Sequence, residues 1–431
     1  MTPAKGFAEM KDSGAEWIKE IPANWELSKI GALYTQRNEK VSDKDYPPLS
    51  VTMKGILPQL ATAAKTDDGD NRKLVRIGDF AINSRSDRRG SCGISPYDGS
   101  VSLINTILTP RKKMHPGYYN WLFHTTLFAD EFYKWGHGIV DDLWTTRWQE
   151  MKRILVPVPP YETQSAIASY LDAQCAKIDE IIAQAKASIE DYKQWKVSII
   201  YEAVTKGLDP NVEMKDSGIE WIKQIPQHWG KSKIKKVAQA FNGDRSSNYP
   251  SGDDIVSSGI LFITSNNLGA IELNIGIPSN KYITPQKYNE LRGAKVQIND
   301  IVFCLRGSVG KCSINKQIME GTIASSLVVI RAESINPDYL NYVLQNSAVS
   351  EMALTTAIGI GSLNLSAENI MSFVIPLPSP AEQSIIVRYL NHKCKTVEGL
   401  ITEKQSLIDD LESYKKSLIY EVVTGKRSVR Q

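Results

Sequence analysis

The chain has 431 residues, 42% of them hydrophobic, and its 51 basic and 48 acidic residues leave a formal net charge of +3. This length favours two to four folded units with real cores. No run of about 18 apolar residues occurs and the first residues lack the apolar stretch of a secretory signal, so neither a membrane span nor secretion is expected. Five cysteines without a CxxC pair argue against a disulfide framework or a structural zinc site. We expect a cytoplasmic protein, and so small a net charge permits nucleic-acid binding without arguing for it.

An internal repeat begins near the start of the chain. Residues 10–14 (MKDSG) return at 214–218, 204 positions later, and the match extends through Trp17 and Trp25, whose counterparts are also tryptophan. Each copy opens a long insert, and the two inserts differ in most of their residues. A shared frame around different inserts indicates a protein that reads two different things at a fixed separation. The repeated tryptophans are predicted to be core or helix-docking residues rather than binding residues.

The two inserts are predicted to be mixed α/β globules. Short β-like runs, separated by Gly, Asn and Asp turns, lie at residues 74–77, 79–82, 260–263, 300–303 and 326–330. Late in each insert an amphipathic helix carries related residues, at 116–121 and 337–342, which are 221 positions apart. We therefore expect the globules to share a fold although their sequences differ.

Basic and polar side chains follow equivalent strands of the two globules. The loop at 83–91 is rich in arginine and serine, and the loop at 304–311 carries Arg306 at the position of Arg85. Arginine clamps phosphates and reads guanine edges, while serine and asparagine bond phosphates or base edges at short range. The candidate DNA-binding residues are Arg85, Ser86, Arg88, Arg89, Ser91, Lys112, Lys113, Ser265, Asn266, Asn267, Arg306, Ser308, Lys311 and Ser325. The alternative is a pair of solvated charged loops, and we assign Arg85 and Arg306 to phosphate or framework contacts because both copies share them.

Each globule is followed by a heptad pattern typical of a coiled coil. The predicted seam comprises Leu171, Ile178, Ile182, Ile189, Leu390, Val397, Ile401, Ile408 and Leu411. A capping box with proline at the first helical position starts the second helix at Ser379, and Gly207 and Gly425 mark the two ends. A helix from residue 162 to 205 would be about 65 Å long.

The two helices are predicted to pair antiparallel. A parallel, in-register pair would press Lys196 against Lys415, whereas antiparallel pairing sends these lysines to opposite ends and relates two like units by a pseudo-two-fold axis. Because the first helix leads directly into the second repeat block, the end of the second helix should lie beside the first block, which would make the molecule pseudo-circular. The alternative is that each helix packs separately on its own globule.

No catalytic constellation is found in the sequence. Residues 307–313 resemble a phosphate loop but lack its glycine spacing and the Ser or Thr directly after lysine. His392 and Cys394 lie two apart on a predicted helix and point to different faces, which disfavours a metal site. We predict a chain that is not an enzyme and that holds no cofactor or metal of its own.

The order of these pieces resembles the specificity subunit of Type I restriction–modification enzymes. The matching motifs are the block at 13–22 with its second copy, the proline-rich, Gln-Ser entry to each helix, and the Ile-Tyr-Glu-x-Val-Thr exits at 200–205 and 419–424. The resemblance covers essentially the whole chain and implies two target recognition domains, each reading half of a bipartite DNA site. It also implies that the helices dock two methyltransferase (M) subunits, which motor-nuclease (R) subunits then join. Those partners, not this chain, would bind S-adenosylmethionine, ATP and magnesium.

We thus predict an α+β fold with two mixed α/β target recognition domains joined by two long antiparallel coiled-coil helices, pseudo-two-fold and pseudo-circular. The expected domains are residues 1–158 with repeat block 10–30, helix 159–207, residues 208–378 with repeat block 214–234, and helix 379–425. The expected function is recognition of an asymmetric bipartite site in double-stranded DNA, within a complex that methylates adenine N6 and cleaves DNA with ATP. Rival interpretations are a coiled-coil scaffold with two protein-binding globules and no DNA contact, a nuclease or methyltransferase with degenerate motifs, and a subunit of a modification-only system.

Overall fold

A computed structural model describes residues 9–60, 69–85, 88–138, 144–219, 221–244, 249–357 and 364–429. The chain divides into two compact units, the first Met1–Lys186 with Gln405–Gln431 and the second Ala187–Lys404. Each unit therefore holds one globule together with parts of both long helices. The four-domain division drawn from the sequence stays a prediction.

The first unit is built on a four-stranded antiparallel sheet. Its strands lie in the order Cys92–Ile94, Phe80–Asn83, Asn105–Pro110 and Tyr34–Arg37. A second antiparallel sheet orders Gly99–Val101, Arg72–Val75 and Lys40–Val41. Two-stranded ribbons pair Met10–Asp12 with Glu20–Pro22, Glu26–Lys29 with Leu155–Val158, and Leu49–Thr52 with Gly55–Pro58. The short helices are Ile30–Leu33, Pro116–Phe123, Thr126–Lys134 and Trp148–Met151.

An aromatic cluster fixes the helix Pro116–Phe123 against this sheet. Tyr34, Phe80, Tyr119 and Phe123 are at most 1% exposed, and the ring centroids of contacting pairs lie between 4.4 and 6.4 Å apart. Pro116 begins the helix that carries two of these rings, since a missing N–H costs nothing at the first helical position. Buried aromatic rings dominate core energetics. The packing therefore holds the strand Phe80–Asn83 in place, and with it the polar loop that follows.

The second unit repeats the four-stranded sheet in the same order. Its strands are Cys312–Ile314, Ile301–Cys304, Leu327–Ala332 and Ala238–Asn242. The other sheet orders Ile255–Val256, Lys281–Ile283, Ile260–Ile263 and Gly321–Ile323, with the last pair parallel. Ribbons pair Met214–Ile219 with Ile222–Pro226 and Gly230–Lys233 with Val374–Leu377. The α-helices are Pro285–Glu290, Pro337–Leu344, Ser347–Thr356 and Ala367–Ser372, and 3-10 turns lie at Ile234–Lys236, Gly252–Asp254 and Ser265–Asn267.

The first long helix is Tyr161–Lys206 and the second is Pro380–Val423. Within the first unit Lys415 donates to Asp179 at 2.6 Å, and Lys186 lies 3.8 Å from Glu412. Residue numbers rise along one helix as they fall along the other, so the pairing is antiparallel as predicted, and separate packing of the helices is excluded. No helix in the described ranges is long and apolar enough to cross a membrane.

The second unit holds the counterpart of the first ion pair. There Lys196 donates to Glu398 at 2.6 Å. Lys196 and Lys415 are 219 positions apart, as are Asp179 and Glu398, so the sequence repeat has produced the same interhelical bridge in each unit. The lysine that would have repelled its counterpart in a parallel pair is instead paired with a carboxylate of the facing helix.

Most predicted seam residues lie buried. Those with at most 8% exposure are Leu171, Ile178, Ile182, Ile189, Leu390, Val397 and Ile408, while Ile401 and Leu411 are half-buried. The helices end where the sequence predicted, because Gly207 and Gly425 both take a φ of +75°, which glycine adopts without steric cost.

The end of the second long helix lies against the first repeat block, as the pseudo-circular arrangement predicted. The Tyr420 hydroxyl donates to the carbonyl oxygens of Trp17 and Ile18, both at 3.1 Å. Gly425 lies so close to Pro22 and to the ring of Trp25 that a β-carbon would clash. Burial of Trp25 and Trp229, each 1% exposed, confirms that the repeated tryptophans serve the core and helix docking.

A repeated tyrosine fastens each globule to the end of a long helix. The Tyr118 hydroxyl donates to the carbonyl of Val423 at 2.8 Å, and the equivalent Tyr339 donates to Val204 at 3.4 Å. We expect Tyr118→Phe to lower the free energy of unfolding by about 1 kcal/mol, because a buried carbonyl loses its donor. Urea unfolding followed by tryptophan fluorescence measures this change. The neighbouring Tyr119 is the matched control.

Tyr119 is as deeply buried as Tyr118 but differs in its hydrogen bonding. Tyr119 is fully buried, and its hydroxyl has no hydrogen-bond partner within the described part of the chain. Tyr119→Phe should therefore leave stability unchanged or raise it, since it removes an unpaired polar atom. Equal losses in the two variants would show that the Tyr118 hydrogen bond does not stabilise the junction.

Candidate nucleic-acid interface

Two loops that are each closed by a backbone hydrogen bond follow the equivalent strands Phe80–Asn83 and Ile301–Cys304. The backbone N–H of Asn83 donates to the carbonyl oxygen of Ser91, and the backbone N–H of Cys304 donates to the carbonyl oxygen of Lys311, each at 2.8 Å. Each loop is therefore closed by a backbone hydrogen bond between its two ends. The backbone of Arg85 forms a single antiparallel β-bridge with Thr145, and the backbone of Arg306 forms one with Asn364. The two inserts thus share a loop frame while carrying different side chains.

The predicted side chains of the first loop differ in exposure and in their contacts with the rest of the globule. Arg85 and Arg88 are exposed. Arg89 is ion-paired with Asp130, and its guanidinium lies 5.7 Å from the ring centroid of Tyr133, so the globule itself engages this side chain. Ser91 is 5% exposed. Ser86 lies outside the described residues.

Lys112 and Lys113 lie away from this loop. They follow the strand Asn105–Pro110, whose first residue pairs with Asn83 beside the loop and whose last residue is at the opposite end of the sheet. Both lysines are exposed, and the Lys113 ammonium lies 4.5 Å from the ring centroid of Tyr161 at the start of the first long helix. The structure therefore does not bring these lysines together with the arginine loop.

The predicted residues of the second unit converge on one sheet edge. The Leu305 amide donates to Ser326 at 2.8 Å, which sets the segment around Ser325 beside the Arg306 loop. Ile260–Ile263 and Gly321–Ile323 run parallel, so the residues that follow both strands lie at the same edge. Exposed members of this group are Asn266, Ser308 and Lys311, while Ser265, Arg306 and Ser325 are half-buried.

Two of these residues have partners inside the globule. Arg306 Nε donates to the side-chain oxygen of Asn364 at 2.9 Å. Asn267 is fully buried, accepts from the Thr264 amide at 2.9 Å and donates to Asn280 at 2.7 Å. These bonds orient the loops, and Asn267 in particular has no surface to offer a ligand.

Several residues that are not among the candidates predicted from the sequence lie beside Arg85 in the structure. A cleft in the first unit is lined by Arg85 together with Gln36, Lys73, Arg147 and Gln149. Burial lowers the pKa of Lys73, whose ammonium donates to the Asn105 carbonyl at 2.7 Å. The repeat could have located this cluster, because Thr145, which pairs with Arg85, lies 219 positions before Asn364, which pairs with Arg306.

The cysteines are buried and unpaired by disulfides within the part of the chain that the structure describes. All five cysteines are buried, and burial raises the pKa of the Cys92 and Cys312 thiols. Within the described ranges, no group of three or more His, Cys, Asp or Glu side chains is placed to hold a metal ion.

Comparisons with known proteins agree on one family. Residues 226–407 match the model of the Type I restriction modification DNA specificity domain. The Type I restriction enzyme MjaVIII specificity subunit of Methanocaldococcus jannaschii is 24% identical, with 95% of this chain and 94% of that protein covered. The EcoBI specificity subunit of Escherichia coli is 23% identical over 63% of this chain and 58% of that protein.

Solved structures share the fold at lower identity. A chain from a study of complex assembly and conformational transition in the type I R-M system superposes with a TM-score of 0.71 at 16% identity, covering 94% of this chain and 99% of that one. The HsdS subunit from Thermoanaerobacter tengcongensis gives a TM-score of 0.53 at 16% identity, covering 94% and 98%. The domain match, the relatives of similar length and the shared fold, together with the duplicated frame and the paired long helices, support a specificity subunit of the Type I restriction–modification kind.

Proposed function

We propose that this chain is the DNA sequence-recognition subunit of a Type I restriction–modification complex, and that each globule reads one half of an asymmetric bipartite site. The observation that carries the proposal is the pair of loops with the same backbone closure but different side chains. Loops that close in the same way after equivalent strands would meet the duplex at equivalent places, whereas their different side chains would contact different bases. The two half-sites should therefore differ in sequence.

Within each globule, exposed polar groups would contact the duplex. In the first unit these are Arg85 and Arg88, and in the second they are Asn266, Ser308 and Lys311. Phosphate contacts by cations supply affinity, and contacts with base edges supply sequence preference. Ser91 and Asn267 would instead support these loops because they are buried, and Arg89 would do so through Asp130 and Tyr133.

The long helices would set the spacing between half-sites and dock two methyltransferase subunits. Motor-nuclease subunits would then join this core, and the reactions on DNA would belong to those partners. In this scheme the chain itself is not an enzyme, and it acts in the cytoplasm, where its DNA is found.

Binding of the assembled complex to duplex DNA tests the proposal. The chain, purified together with its cognate methyltransferase subunit, should retain a duplex that contains its site. The logarithm of the binding constant should fall linearly with the logarithm of salt concentration, as counterions are released from phosphates. A complex that retains no duplex even at low salt would favour the rival scaffold with protein-binding globules.

A further inference from the structure

The first unit contains a cationic cleft beside Arg85. It has a volume of about 410 Å³ and is lined by side chains from separate segments of the chain, among them Gln36, Lys73, Arg147 and Gln149. Three of its side chains are cationic, and none of the described residues that line it is acidic. Such a cleft concentrates positive charge and attracts a polyanion.

Arg147 occupies a position that a structural role does not explain. It is the N-cap of the helix Trp148–Met151 and makes no side-chain capping hydrogen bond. The equivalent residue of the second unit, Ser366, caps the helix Ala367–Ser372 by accepting from the Asn369 amide. Serine is among the best N-cap residues and arginine is not. Sequences break such local rules chiefly where function requires another side chain.

The glutamines of the cleft also differ from their counterparts. Gln36 pairs with Leu108 across the sheet, and the second unit has Ala240 at that register. Gln149 corresponds to Glu368, 219 positions later. Gln149 is exposed, and Gln36 is half-buried with its amide oxygen accepting from Asn38 at 3.2 Å. A glutamine amide matches the donor and acceptor pattern that adenine shows in the major groove.

We propose that this cleft is the base-reading site of the first unit, where Gln36 and Gln149 read an A·T pair while Arg85, Lys73 and Arg147 hold the adjoining phosphates. The proposal rests on the proposed function and adds to it the residues that determine one half-site. It also explains why the two units read differently, because the second unit carries alanine, serine and glutamate at the matching places.

The test uses the chain assembled with its methyltransferase subunit. Arg147→Ser supplies the cap found in the second unit, so the midpoint of thermal unfolding should rise by a few degrees, about 2–4 °C. The same variant should bind all duplexes about tenfold more weakly, and the salt slope should fall by about 1. Arg153→Ser is the charge-matched control, because Arg153 is exposed in the same unit and does not line the cleft.

The glutamines are tested through the methylated sequence. Gln149→Ala and Gln36→Ala should lower discrimination at one A·T pair of one half-site about tenfold or more, with the other half-site unchanged. The cleft is not the reading site if both glutamine variants keep the wild-type motif, or if both half-sites relax together. It is also excluded if Arg147→Ser binds like the wild type. Failure of the wild-type complex to bind any duplex would instead overturn the proposed function itself.

Discussion

Removing seven residues from each long helix is expected to bring the two half-sites about three base pairs closer together. Deleting residues 184–190 and 404–410 takes one heptad from each helix and preserves the seam register. It also keeps the bridges that Asp179 and Lys196 make with the facing helix. Seven helical residues span about 10.5 Å, which corresponds to about three base pairs at 3.4 Å each. Mapping the adenines methylated by the assembled complex measures the spacing.

The matched control keeps the helix length and changes only the sequence. A variant whose two deleted segments are instead replaced by idealised heptads of equal length should keep the wild-type spacing. An active complex that carries the shortened helices and still methylates the original site would contradict the helices as the element that sets the spacing.

Asp300→Ala is expected to destabilise the second unit by about 3 kcal/mol. The Asp300 side chain is 1% exposed and accepts from Arg331 Nε and Nη2, both at 2.8 Å, and from the Gln297 amide at 2.7 Å. Alanine leaves the backbone N–H of Gln297 without this acceptor and Arg331 without its charge partner. Removing one partner of a buried ion pair costs about 3–5 kcal/mol. Because Arg331 is 28% exposed and can reach water, we expect the lower end of that range.

Urea unfolding of Asp300→Ala and Glu190→Ala measures the contrast. Glu190 pairs with Lys193 at 2.7 Å, but both side chains are more than half exposed. Exposed pairs of this kind contribute about 0–1 kcal/mol, so Glu190→Ala should be nearly neutral. Equal effects of the two substitutions would show that burial does not govern the contribution of Asp300.

Repeated residues made the frame predictable, since a residue kept at the same place in two divergent inserts serves what the inserts share. Trp17 donates to the Leu155 carbonyl and Trp221 to the Val374 carbonyl, both at 3.2 Å. The side-chain amides of Gln164 and Gln383 donate to the carbonyl oxygens of Pro159 and Pro378, at 2.8 and 2.9 Å, and so hold the turn that enters each long helix. The heptad seam predicted that the two long helices pair. The positions of Lys196 and Lys415 predicted that they pair antiparallel, because a parallel, in-register pair would bring these two lysines together.

The candidate interface was less predictable, because it depends on neighbours that are distant in the chain. Nothing around Arg89 in the sequence reveals that Asp130 and Tyr133 engage it. Asn267 looks like a surface asparagine until its bonds to Thr264 and Asn280 are seen. The burial of a side chain such as Asn267 is therefore known only from the fold.

The most direct test of the account is a map of methylated adenines in cells that express this chain with its cognate methyltransferase subunit. We predict one asymmetric motif made of two different half-sites separated by an unspecified spacer, and its loss when this chain is omitted. A palindromic or uninterrupted motif, or methylation that persists unchanged without this chain, would contradict the account.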